Sequence, residues 1–183
     1  MEINNTKLNI ISVVLGLTLA GAAFAAPQTT SISGGTFKFQ GEVVDAACAV
    51  ATSENNGPVV LNQVRTKNLA VSGDLGNQKK PFSIGLIDCD NSVSENVAVS
   101  YSAQTDAAIP AALANIANGN TAKNVALQIF GPDSKPLATG VQSSLLKIEG
   151  TEVIIPLSVD YIATGAATSG SVRGEATFMI HFS

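Results

Sequence analysis

The chain is a succession of short segments in which apolar and polar side chains alternate, the period-two pattern of half-buried strands. Residues 37–44 alternate and include Val43-Val44. Val59-Val60-Leu61 follows the turn-forming string Asn55-Asn56-Gly57-Pro58. Phe82-Ser83-Ile84-Gly85-Leu86-Ile87 leads into Cys89, and Val97-Ala98-Val99-Ser100-Tyr101 alternates again. Val125-Ala126-Leu127-Gln128-Ile129-Phe130 runs into Gly131-Pro132-Asp133-Ser134. In that turn proline presets φ and aspartate hydrogen-bonds locally. Residues 153–162 predict a long strand whose Pro156 points to a sheet edge or a bulge. Seven or so short strands separated by turn signals predict an all-β sandwich.

One stretch departs from the pattern. Residues 107–117 are alanine-rich and predict a short helix from about Pro110, where proline is tolerated in a first turn, stopped by Asn118-Gly119. The plainer reading is a surface excursion between strands, and it is preferred to any cofactor role. The chain shows no internal repeat and no charge block.

The amino-terminal residues belong to a different class of segment. Lys7 precedes an apolar stretch, residues 10–23, and Ala23-Phe24-Ala25 supplies a small-x-small cleavage site. Residues 1–25 therefore read as a secretory signal, too short in its apolar run for a bilayer span of about 20 residues. The exported remainder reads as one domain. Removing Glu2 and Lys7 from totals of 14 acidic and 10 basic residues leaves 13 and 9, so the net charge stays at −4. There is no basic run, and the aromatics are not interleaved with Arg or Lys, which argues against nucleic acid as a partner. A charged fraction of 13% fits a compact extracellular β protein better than a cytosolic enzyme.

Chemistry-bearing side chains are few. Cys48 and Cys89 are the 2 cysteines of the chain, and both follow the export signal. An oxidising compartment favours a disulfide between them. A metal pair or a reactive thiol has no support, since His181 is the single histidine and zinc sites usually take four ligands. His181 lies on the strand face opposite Phe178, Ile180 and Phe182, so it is expected to face solvent. Asp88 and Asp90 flank Cys89 and read as a solvated strand end rather than an acid/base pair. No phosphate-binding glycine loop and no nucleophile elbow is present, and neither a catalytic residue, a cofactor nor a metal site is implied.

The two ends of the exported chain carry the functional signal. Residues 176–183, Ala176-Thr177-Phe178-Met179-Ile180-His181-Phe182-Ser183, form a strongly alternating apolar strand at the carboxyl end. An unpaired edge of that kind invites association. In residues 33–41 every second side chain (Ser33, Gly35, Phe37, Phe39, Gly41) points the same way along about 30 Å of extended chain. That segment is either the first strand of its own sandwich or a strand offered to another copy, and the pattern alone leaves both open.

The order and spacing of several strings resolve this by resemblance. Gly34-Gly35-Thr36-Phe37-Lys38-Phe39-Gln40-Gly41-Glu42-Val43-Val44-Asp45-Ala46-Ala47-Cys48-Ala49-Val50 is similar to the amino-terminal region of the major subunits of type 1 fimbriae. Leu61-Asn62-Gln63-Val64-Arg65-Thr66, Leu86-Ile87-Asp88-Cys89-Asp90 and Tyr161-Ile162-Ala163-Thr164-Gly165-Ala166-Ala167-Thr168 extend the match, and Gly170 stands where that family usually has glycine. The resemblance implies an incomplete immunoglobulin-like sandwich that lacks its last strand and is completed by a donor strand from a neighbouring subunit. It implies residues 26–44 as the donor-strand extension and residues 45–183 as the pilin domain. Gly35, Phe37, Phe39 and Gly41 would be the groove-filling face, with Gly35 in a tight notch. Gly170, Phe178, Ile180, Phe182 and Ser183 would form the acceptor groove and chaperone contact, the Ser183 carboxylate lying near the chaperone's basic anchor. Phe182 departs from the family, which usually has tyrosine there; an apolar zipper survives the loss of one hydroxyl.

The expectation is therefore a non-enzymatic structural subunit of a surface fimbria, supporting cell adhesion. Its implied partners are identical or homologous pilin subunits, a periplasmic chaperone and an outer-membrane usher, and its destination, through the periplasm, is an extracellular fimbrium. A minor adaptor pilin is the alternative within the family. A self-contained secreted sandwich binding a small ligand, and an exported hydrolase, are the alternatives outside it.

Overall fold

The computed structural model describes residues 36–38, 40–51 and 57–183. The chain divides into two compact units, Met1–Gly41 and Glu42–Ser183. In the first, Thr36, Phe37, Lys38, Gln40 and Gly41 are exposed and lie outside any strand. Gly35 and Phe39 of the expected donor face fall outside the described residues, as do the signal segment and Asn55-Asn56 of the expected turn.

The second unit is all-β. Its described strands are β1 (Ala49–Val50), β2 (Lys80–Ile87), β3 (Asn96–Ala103), β4 (Val125–Phe130), β5 (Pro136–Leu137), β6 (Leu146–Lys147), β7 (Glu152–Ala163) and β8 (Ala176–Phe182). They form a five-stranded sheet in the order β1-β2-β7-β4-β5 and a three-stranded sheet in the order β6-β3-β8, with antiparallel pairing throughout. The sheets face each other, and the alternation of each strand decides what lies between them. Ile84 and Leu86 of β2 and Ile155 of β7 meet Val97 and Val99 of β3, all nearly inaccessible to solvent. Leu127 and Ile129 of β4 join Val159 and Tyr161 of β7 and Tyr101 of β3 further along the sandwich.

Cys48 and Cys89 form a disulfide beside the first of these clusters, tying the approach to β1 to the end of β2. Asp90 turns the chain just beyond it: its carboxylate accepts from the Ser92 N–H at 2.8 Å and the Ser92 hydroxyl at 2.6 Å. Those bonds hold the exposed Asp90 carboxyl below the usual carboxylate range.

Several expectations are corrected. Residues 107–117 contain no helix. Asp106 instead accepts from the Ala108 and Ile109 N–H groups, and Leu113 bridges Thr105 on one side and Leu127 on the other. The stretch is no mere surface excursion either, because Ala112 is fully buried with Ala126 and Ile162 on the outer face of the larger sheet. Leu75 and Ile109 complete this small second core. Residues 40–44 and 59–61 alternate yet form no strand, because alternation becomes a strand only where a neighbour supplies the ladder. Pro156 lies in a strand flanked on both sides, between β2 and β4, but β4 pairs with β7 only from Ser158 onward. Over Pro156 the strand has β2 as its single neighbour among the described strands, so the missing N–H removes no bond to β4.

Candidate acceptor groove

β8 is an edge strand. It pairs with β3 from Ala176↔Ala103 to Phe182↔Val97, and no described strand pairs with its other side. Phe178, Ile180 and Phe182 point inward and are half-buried against the core cluster of Ile84, Val97 and Ile155. Met179 points outward and is exposed. Ser183 extends the ladder: its N–H donates to the Asn96 carbonyl at 3.0 Å, and the Asn96 N–H donates to the Ser183 carbonyl at 2.8 Å.

Beside β8 the sandwich stays open in a groove of about 980 Å³. One bank is the unladdered segment Val59, Val60 and Leu61; the other runs from Val172 to Ala176 and on to Phe178. Ile84, Val99, Leu127, Ile129 and Leu157 form its floor. A complete sandwich covers such inward-facing positions with a further strand. Here Val60 is 71% exposed, a cost no closed core would carry.

Two tyrosines brace the floor. The single proton of the Tyr101 hydroxyl is shared between the carbonyls of Leu137 at 2.9 Å and Ala111 at 3.2 Å, joining β3 to β5 and to the 107–117 stretch. The Tyr161 hydroxyl donates to the Asn62 carbonyl at 2.9 Å and so pins the first bank to β7. Burial raises both phenols above the ordinary tyrosine range, and the nearby Asp160 charge raises Tyr161 further. Asp160 is itself fully buried and accepts from the Tyr161 and Gln78 N–H groups.

The expected site residues are only partly gathered here. Phe178 lines the groove, while Ile180 and Phe182 continue the same face of β8 into the core. Gly170 lies elsewhere, at a smaller hollow of about 270 Å³ lined also by Thr66, Leu69 and Val172. A Cβ there would come within 2.3 Å of the Ala122 nitrogen and 2.6 Å of the Thr121 carbonyl carbon, so glycine permits a backbone crossing. His181 is half-buried rather than solvent-facing, its Nε2 being 2.7 Å from the Ser100 hydroxyl. Sequence reading missed the bank at Val59–Val60, Tyr161, and the groove's charged pair, Arg173 and Glu175. The missed signal at Tyr161 was a polar tip on an otherwise apolar face, which requires a buried acceptor.

The profile of the fimbrial protein family matches residues 37–183. The type-1 fimbrial protein C chain of Escherichia coli is 40% identical over 182 residues, covering 96% of this chain and 99% of that one. The type-1 fimbrial protein A chain of Salmonella typhi is 38% identical over 182 residues, covering 96% and 98%. Among solved structures, a type I fimbria protein of Burkholderia pseudomallei superposes with a TM-score of 0.57 at 28% identity, covering 76% of this chain and 91% of that one. A chaperone–usher pilus subunit, from work on rod uncoiling, gives a TM-score of 0.69 over 86% of this chain and all of its own; at 17% identity it shows a common fold. With a family match over residues 37–183 and an open immunoglobulin-like sandwich, this chain belongs to the fimbrial protein family and is a structural fimbrial subunit.

Proposed function

We propose that the subunit polymerises by donor-strand exchange, the groove beside β8 receiving residues 35–41 of the next subunit. The observation that carries this is the unpaired edge of β8 bordering an apolar groove with exposed banks. Strand addition to such an edge, of which chaperone–pilin complexes are a known case, takes affinity from the main-chain ladder and specificity from alternate side chains. Gly35, Phe37, Phe39 and Gly41 are the groove-filling face; burying each phenylalanine contributes about 1.5–3 kcal/mol. Phe178, Ile180 and Phe182 present the receiving face and Ser183 ends it, while Gly170, at the separate hollow, holds the backbone crossing ahead of Val172, which lines the groove.

Before assembly, a strand from a periplasmic chaperone fills the same groove, and an outer-membrane usher promotes its replacement. The contact is heterologous and does not close on itself, so it yields a filament at the cell surface rather than a ring. Thermal unfolding of the oxidised, exported chain with and without a peptide of residues 33–41 tests the reading. A large rise in midpoint is expected; an unchanged midpoint in an already stable monomer overturns it.

A further inference from the structure

Among the described side chains lining the groove, Arg173 and Glu175 alone carry charge. They pair with each other just before β8, with side-chain exposures of 57% and 64%. Gly174 between them points inward, since a Cβ on it would meet Leu127 at 2.9 Å and then Leu113. The Arg173–Glu175 pair therefore occupies the outward face of the groove's mouth.

The groove-filling face of the incoming strand, Gly35-Phe37-Phe39-Gly41, reads the same in both directions. Apolar fit alone cannot distinguish a donor antiparallel to β8 from one parallel to it. The outward face can. Full antiparallel overlap with Ala176–Phe182 sets Gly41 beside Ala176 and Gly35 beside Phe182. The next pair is then Glu42 beside Glu175, with Arg173 two residues along the same face. Parallel overlap carries Glu42 to Ser183 at the opposite end, and Arg173 gains no second carboxylate.

We propose that Arg173 is a specificity-determining residue that reads Glu42 of the incoming strand, selecting its direction. The proposal rests on the donor-strand reading. A guanidinium offers five N–H donors and can hold two carboxylates at once. Glu42 is exposed and available. Without Arg173, Glu42 and Glu175 would face each other as like charges, which opposes pairing. A slip of two residues that sets Glu42 beside Thr177 keeps every side chain on its face yet moves Glu42 away from Arg173, so charge penalises that slip. The opposite slip sets Glu42 beside Arg173 and is left to the apolar fit.

The test is the release of a fluorescent peptide of residues 33–44 from the oxidised, exported chain. Arg173→Gln in the protein should speed release of the native peptide about two- to fivefold, the range for exposed pairs, because Glu42 then meets Glu175 without a shared cation. A Glu42→Gln peptide should be released at the same rate from the Arg173→Gln and unaltered proteins, and 1 M salt should erase the differences because screening then acts within about 3 Å. A peptide carrying Glu42→Cys should cross-link to a Glu175→Cys protein and not to a Ser183→Cys protein. Equal release of the native peptide from the Arg173→Gln and unaltered proteins, or cross-linking to position 183, overturns the proposal and leaves the donor-strand reading standing. Failure of every peptide to bind overturns both.

Discussion

Replacing Gly170 by alanine asks whether a backbone crossing, rather than a contact to any partner, dictates that glycine. The added Cβ would sit 2.3 Å from the Ala122 nitrogen, 2.6 Å from the Thr121 carbonyl carbon and 2.7 Å from the Asn120 carbonyl oxygen. All three are backbone atoms, so no side-chain rotation relieves the clash. The segments are also tied: Ser171 N–H donates to the Asn120 carbonyl at 2.6 Å, and Ala122 N–H donates to the Ser171 carbonyl at 3.0 Å. Asn115 Nδ2 clamps the carbonyls of Ala122 and Ser171, each at 3.0 Å. Overpacking costs about 1–3 kcal/mol, and an unyielding site belongs at the upper end. For a domain of this size, 3 kcal/mol lowers the unfolding midpoint by roughly 6–12 °C. Gly57→Ala is the control, since nothing lies within 4 Å of its added Cβ. Thermal unfolding of both variants in the oxidised state decides. If Gly170→Ala unfolds within about 2 °C of wild type, as a neutral surface change does, the backbone crossing does not require that glycine.

Reducing the disulfide, or the double change Cys48→Ser with Cys89→Ser, should cost about 4 kcal/mol for a bridge spanning 41 positions, read from the urea midpoint. The raised tyrosines set an alkaline limit. As pH climbs past the ordinary tyrosine value, near 10, the unfolded chain releases protons that folded Tyr101 and Tyr161 retain, so stability falls with rising pH. Urea midpoints measured across that range should flatten in the Tyr101→Phe and Tyr161→Phe variants, which also lose a hydrogen bond at every pH. Phe178→Ala should weaken capture of the 33–41 peptide by tenfold or more while leaving the free protein folded, because its ring is half-buried until a donor covers it. Equal peptide affinity would remove Phe178 from the receiving face.

The sequence made legible whatever depends on local alternation with a partner inside the chain. Strands β2, β3, β4, β7 and β8 each follow a period-two run, and Cys48 with Cys89 followed from export and pairing arithmetic. Alternation at residues 40–44 and 59–61 misled, because a pattern records what a segment can pair with and not whether that neighbour is present. The alanines at 107–117 misled for another reason. Small side chains favour a helix in isolation but equally permit close packing, and burial of Ala112 against Ala126 prevails over propensity. The groove itself was legible only as an unpaired apolar end. Its banks join segments more than a hundred residues apart, and no periodicity reports such proximity. His181 shows the same limit, its face correctly assigned but its partner, Ser100, set by the register of β8 on β3.

The disulfide has a mechanical consequence. In the donor-strand assembly proposed above, a filament under tension would pull on each subunit through the residues that lead into Cys48. β1 offers a ladder of two residue pairs, Ala49↔Ile87 and Val50↔Leu86, which would peel apart readily under load. The Cys48–Cys89 bond passes force covalently to the end of β2 instead. There it is spread along eight residue pairs with β7, from Lys80↔Val159 to Ile87↔Glu152. A pulled subunit should therefore yield by stretching the chain ahead of Cys48 before its sandwich unravels, so that the bridge acts as a strain relief for the rod.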